Sequence, residues 1–294
     1  KAICMLLIFW WHSSIPSPES VDLGARTCEF LFVASGFLVG YNSFYKPVPD
    51  TWSESFRYLY KKFFDFWPFQ FICMVLMGLY KNAGFSVKNI FNAILNLSLL
   101  QAWSPYYDVR FSFSGQSWFL SALFFCYFLS PMLLRFSKRV KASCILLPAV
   151  FAVRYVAEYT AVNFRQEFFH INVHTNPLVR SMEFFMGMLC VPLFMAIKDK
   201  AERSRKNTLI MSIIEILVSA GSVFFIITFS KNLLRAVFIP VMLTVCFVFA
   251  FDRGIISRFL SLKCFKLLSK IQFEIYLIHI AAIRYLNAPL NKVF

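Results

Sequence analysis

The chain has 294 residues, of which 59% are hydrophobic and 15% charged, with 38 Phe and a mean hydropathy of +0.63. One water-soluble core of this size cannot hide that much apolar surface, which excludes a soluble globular fold and makes the bilayer the solvent. The excess of 30 basic over 15 acidic residues is spread through connections between apolar runs rather than gathered as a nucleic-acid footprint, and the eight Cys include no CxxC pair, which argues against a disulfide framework or a cysteine-held metal.

Residues 1–14, KAICMLLIFWWHSS, open on a cation and run apolar to Trp10, Trp11 and His12. A signal peptide would end in small residues around a cleavage site, so a first membrane helix is the better reading, and without Met at position 1 the extreme N-terminus is expected upstream. Further helices are predicted near 28–43, 66–80, 117–134, 143–162, 179–197, 208–229, 234–251 and 268–287, taking about twenty residues per span. The apolar stretch 90–103 is too short to span and is read as interfacial or re-entrant. The expectation is an all-α, polytopic transmembrane helix bundle of about nine spans, forming a single domain over 1–294.

The connections 43–65, 135–142, 198–207 and 252–267 then share one side and hold most of the Lys and Arg, among them Arg57, Lys61 and Lys62. The positive-inside rule makes that side, with Lys1 and the N-terminus, cytoplasmic. The outer connections 81–116 and 163–178 are where an acceptor would be gripped.

Ionisable groups inside a membrane are costly and so become site candidates: His12, Glu29, Arg154, Glu158, Glu183, Glu215, Glu274, His279 and Arg284. Arg154 and Glu158, four apart, read as a mutually neutralising pair. Glu215 and Glu274 have no partner visible in sequence and are left out of the site. Lys1 and His12 lie eleven positions apart, a spacing that brings a helix back to within about 20° of its starting direction and raises His12 about 16 Å above Lys1. A cation at the cytoplasmic mouth and an imidazole three turns deeper suit an extended ligand with an anionic head and a reactive far end, such as acyl-coenzyme A. The plainer reading makes Lys1 a snorkelling anchor and His12 a buried histidine bonded to a backbone carbonyl.

Five segments then resemble, in order, the acyltransferase-3 family of integral-membrane acyltransferases. Lys1 and His12 match its first-helix Arg/Lys, ten residues, His pattern; CEFLFVASGFLVGY (28–41) is similar to its V-E/D-F-F-F-V-L-S-G-F segment; SWFLSALFFCYFLSP (117–131) to its W-F/Y-L-S segment; NPLVRSMEFFMGMLC (176–190) to its P-L-x-R-x-x-E-F-F-x-G-M helix; and LLSKIQFEIYLIHI (267–280) to its L-G-K-x-S-Y-x-I-Y-L-x-H signature. Two departures stand out. Where the family often has Arg-x-x-Arg before a Pro, this chain reads KKFFDFWP, with Lys62 and Asp65 in those places; and the family core continues past its Y-L-x-H helix into a further span, so a tenth helix is expected beyond Phe294.

The resemblance implies transfer of an acyl group, most often acetyl, from cytoplasmic acyl-CoA (acetyl-CoA) to a hydroxyl of a cell-surface glycan or lipid-linked sugar, in a bacterial inner membrane. His12 is then general base or acyl relay, with Glu29 holding its tautomer in the manner of a triad acid. Lys1, Arg57, Lys61 and Lys62 would contact the coenzyme's phosphates; Trp118, Arg180, Glu183, Tyr276 and His279 would serve the acceptor side. His170 and His174 have metal-ligand spacing but approach a Pro without a third ligand, so no metal is expected. The runner-up reading is a carrier or flippase that moves a lipid-linked or acylated substrate without chemistry, although the matched broken helices such carriers use are not evident.

Overall fold

The computed structural model describes residues 2–13, 23–46, 48–49, 51–164, 172–198, 205–229 and 233–290. Among these residues there are helices and turns and no strand. The helices are α1 (Ala2–His12), α2 (Leu23–Asn42), α3 (Trp52–Tyr80), α4 (Val87–Leu97), the single turn α5 (Tyr107–Arg110), α6 (Trp118–Phe136), α7 (Val140–Asn163), α8 (Pro177–Lys198), α9 (Arg205–Phe229), α10 (Ile239–Phe249), α11 (Ile255–Leu260), α12 (Lys263–Lys270) and α13 (Gln272–Leu290).

Five of them, α3, α6, α7, α8 and α9, are long and apolar enough to cross a membrane. The other four expected spans correspond to α1 and α10, which are apolar but shorter, and to α2 and α13, which carry Arg26 and Glu29, and Glu274, His279 and Arg284. The 11 residues of α4 rise about 16 Å, roughly half a hydrocarbon core. Its inward Asn96 is tied to Gln70 of α3 (3.2 Å), Ser112 (2.8 Å) and Ser117 (3.1 Å), so the short helix is fastened to the bundle by polar contacts.

The α3 helix begins well before the expected residue 66. Thr51 and Glu54 form a reciprocal capping box, Glu54 N–H donating to Thr51 Oγ1 at 3.2 Å, and Pro68 lies inside the helix. The charged stretch with Arg57, Lys61 and Lys62 is therefore helical rather than loop, an amphipathic foot below the apolar part.

The core is built around the crossing of α2 and α8. A Cβ on Gly36 would collide with the Phe184 carbonyl, and one on Gly187 with the Val33 carbonyl. Each helix thus presents a glycine to the other's backbone, the close approach that small residues give membrane helices. On one side of the crossing, Phe32, Phe66, Phe119, Leu120, Leu123 and Phe184 form an apolar cluster with α3, α6 and α13; on the other, Val33, Phe37, Phe194 and Phe238 pack with α10. Glu215, without a visible partner in sequence, accepts from the Gly254 (2.9 Å) and Ser257 (3.0 Å) amides and so caps α11; backbone amides leave no signature in sequence.

Candidate active site

His12 is the last residue of α1, and its Nδ1 lies 2.9 Å from the Ile8 carbonyl one turn earlier. A carbonyl can only accept, so Nδ1 carries the hydrogen and Nε2 is left with its lone pair. The ring lines a cavity of about 260 Å³ together with Cys28, Gln116, Trp118, His174 and Tyr276. His279 of α13 meets it edge-on, with ring centroids 5.0 Å apart. Its own Nδ1 bonds the Tyr276 carbonyl, and its buried Nε2 has no hydrogen-bond partner among the described residues. Tyr276 donates to the Gln116 carbonyl at 3.1 Å, and the Gln116 amide donates to the Leu277 carbonyl. The structure thus brings His12, Tyr276 and His279 together.

Glu29 is not part of it. Its Oε2 accepts from Arg26 at 2.8 Å, and Oε1 lies 3.7 Å from Arg180. Cys28, one position earlier, faces the cavity, and the turn of about 100° per residue sends Glu29 towards α8 instead. The structure does not bring Glu29, expected as a triad acid, to His12; the Ile8 carbonyl, a group carried by every residue, accepts from His12 Nδ1–H instead.

Arg180 and Glu183 also leave the acceptor wall. Both are fully buried, paired at 2.6 Å, and neither lines the cavity. They belong to a chain of charges in which Arg154 bonds Glu183 (3.2 Å) and Glu158 (2.9 Å), while Glu158 accepts the Arg235 and Ala236 amides at 2.9 and 2.8 Å. The expected Arg154–Glu158 pair is thus one link of a network reaching from α2 to the turn before α10. Trp118 is buried and lines the cavity, with its ring 4.7 Å from that of His174.

His174 and Gln116 were not assigned from sequence. Gln116 directly precedes the 117–131 segment but is not part of its motif. His174 enters from the turn before α8, with Nδ1 2.9 Å from Arg235 Nη1 and 3.3 Å from Arg180 Nη2. His170 and Lys1 lie outside the described residues, and no group of three metal-ligating side chains occurs among the described ones.

A second cavity, of about 430 Å³, lies at the basic end, lined by Ser35, Asn42, Lys46, Tyr58, Lys62 and Tyr127 among others. Lys62 Nζ is 4.8 Å from the Tyr127 ring centroid and 3.9 Å from Asp65. Arg57 and Lys61 are exposed and off this cavity; helical phase turns them outward, and Lys46 stands there instead. No residue lines both cavities. Between them, Leu31 and Phe32 of α2 and Phe119, Leu120 and Leu123 of α6 fill the bundle with apolar side chains.

The acyltransferase-3 family model, described as an acyltransferase domain, matches residues 1–293. No curated protein and no solved structure matches the chain. With a family match over essentially its whole length and a bundle of helices long and apolar enough to cross a membrane, the chain belongs to the acyltransferase-3 family and is a membrane acyltransferase.

Proposed function

We propose that the protein transfers an acyl group, acetyl above all, from acyl-CoA to a hydroxyl of a surface glycan or lipid-linked sugar in a bacterial inner membrane. The observation that carries this reading is His12: its Nδ1–H is committed to the Ile8 carbonyl, which leaves the lone pair on Nε2 of a ring that lines a cavity with Trp118 and Tyr276. A sugar hydroxyl is a poor nucleophile near neutral pH, and an imidazole that takes its proton during attack contributes about 10²–10⁴ in rate. Aromatic walls suit the faces of a sugar ring.

The donor's phosphates suit the cavity with Lys46 and Lys62, and the positive-inside rule supports a cytoplasmic placement of that end. Asp65, beside Lys62, offsets part of that charge, so cation recognition here falls on Lys62 and Lys46 rather than on two arginines. His12 acts in one of two balanced ways. It takes the hydroxyl proton while the hydroxyl oxygen attacks the thioester carbon and the C–S bond breaks, or its Nε2 first accepts the acyl group and the hydroxyl displaces it. Either way the layer of Leu31, Phe32, Phe119, Leu120 and Leu123 must part for the thioester to reach Nε2.

The test is acyl transfer by purified protein in lipid nanodiscs, with radiolabelled acetyl-CoA and a panel of polymeric and lipid-linked sugars analysed by mass spectrometry. His12→Ala is expected to fold as the wild type and to lose about two to four powers of ten in transfer rate. Unaltered transfer by that variant removes His12 from its role, and no thioester cleavage by the wild type with any acceptor removes the reading.

A further inference from the structure

The cavity that holds His12 holds a second imidazole of a different kind. His174 reaches it from the turn before α8, and its Nδ1 faces two guanidiniums, Arg235 Nη1 at 2.9 Å and Arg180 Nη2 at 3.3 Å. A guanidinium offers only donors, so His174 Nδ1 must be an acceptor, and the one hydrogen of the neutral ring sits on Nε2. Burial, followed by the charges of Arg180, Arg235, Arg26 and Arg110, holds its pKa well below the ordinary imidazole value, which keeps the ring neutral. The Arg180 guanidinium is fixed in turn by the His174 carbonyl (2.7 Å) and by Glu183, and the backbone of Arg235 is held by its amide, which donates to Glu158. Trp118 packs against the ring at 4.7 Å.

The two imidazoles therefore carry opposite tautomers. His12 shows a lone pair at Nε2, and His174 an N–H. We propose that His174 is a catalytic residue of the acyl transfer, its Nε2–H donating a hydrogen bond to the acyl oxygen as that oxygen becomes negative. The proposal rests on the transfer chemistry inferred above. As the acceptor oxygen bonds to the acyl carbon, its proton passes to His12 Nε2 and the carbonyl electron pair moves onto the acyl oxygen, held by His174 Nε2–H. When the intermediate collapses, the carbonyl re-forms, the C–S bond breaks, and the sulfur leaves with the proton from His12. His174 gains and loses nothing. A ring that stays neutral is suited to this task, since it polarises a carbonyl without competing with His12 for the proton; a neutral histidine electrophile of this kind is known in triosephosphate isomerase.

Two measurements test it. The chain has four His, so ¹⁵N-histidine spectra of the wild-type protein in bilayers, assigned by a His174→Gln control, report the tautomer directly. The expected result is an Nε2–H signal for His174 that stays unchanged from mildly acidic to mildly alkaline pH; an Nδ1–H tautomer, or titration across that range, overturns the proposal. In kinetics, His174→Phe keeps an aromatic ring but no donor, whereas His174→Gln keeps an acceptor for the arginines and an N–H for the cavity. The Phe variant is expected to lose about 10²–10³ in kcat, with little change in acceptor KM, and the Gln variant to recover most of it. Wild-type kcat in the Phe variant, a loss confined to KM, or a Gln variant below about a hundredth of wild type each overturns it. Should His174→Phe fail to fold, the Gln variant and the spectra decide. Absence of thioester cleavage in the wild type would instead sink the proposed function, leaving the tautomer still readable.

Discussion

Glu183 joins two buried guanidiniums, accepting from Arg180 at 2.7 Å and from Arg154 at 3.2 Å, with no exposed surface on any of the three. Removing one member of such a group leaves the others charged and unpaired in a medium that cannot solvate them. Glu183→Ala is therefore expected to cost about 3–5 kcal/mol of stability, seen as a large drop in thermal midpoint in nanodiscs, with Glu183→Gln intermediate. A Glu183→Ala protein as stable as wild type would mean that water reaches these arginines. Had Glu183 been an acceptor-binding group, as its place in the motif first implied, the same change would alter KM and leave the melting curve alone. The same distinction separates Glu29 from His12: each stands in a motif segment, yet one carboxylate serves Arg26 while the imidazole serves the cavity.

Helices are held together here by shape as much as by charge. At the α2–α8 crossing, Gly187 meets the Val33 carbonyl and the Phe37 amide, so even a methyl group must push backbone away from backbone. Gly187→Ala is expected to destabilise the fold by about 1–3 kcal/mol, the range for overpacking. Gly84, with nothing within 4 Å of a built Cβ, provides the control: Gly84→Ala should leave the melting curve unchanged. Equal behaviour of the two variants would show that the crossing tolerates separation. Because α2 carries Cys28 and α8 follows directly on His174, widening this crossing also moves two cavity walls, so activity in Gly187→Ala should fall further than stability alone requires.

For the molecule as a whole, the two cavities define a direction, from Lys46 and Lys62 at one end to His12 and His174 at the other. In the proposed orientation the basic connections, and with them the first end, face the cytoplasm. Cys264 of α12 is exposed, among basic residues in the connection 252–267. A membrane-impermeant maleimide is therefore expected to label Cys264 in inside-out vesicles and to spare it in right-side-out ones. The reverse pattern would invert the chain and put the donor cavity on the outside.

Much of this was legible in the residues. Apolar length against bilayer thickness is a local property, so the membrane helices, the brevity of α4 and the basic connections could be read from composition along the chain, and five motif segments in order pointed to the family. The pairing of Arg154 with Glu158 followed from helical spacing alone. What could not be read was direction. The α2 helix is buried on nearly every side, so its sequence carries no stripe to say that Cys28 faces the cavity and Glu29 faces α8. Nor can spacing reveal partners that are backbone, as for His12 with Ile8 or Glu215 with the α11 amides. His174 is the sharpest case: its neutral ring and its fixed hydrogen come from two arginines, six and 61 positions away, that only the packing of α8 against the segment leading into α10 brings to one nitrogen.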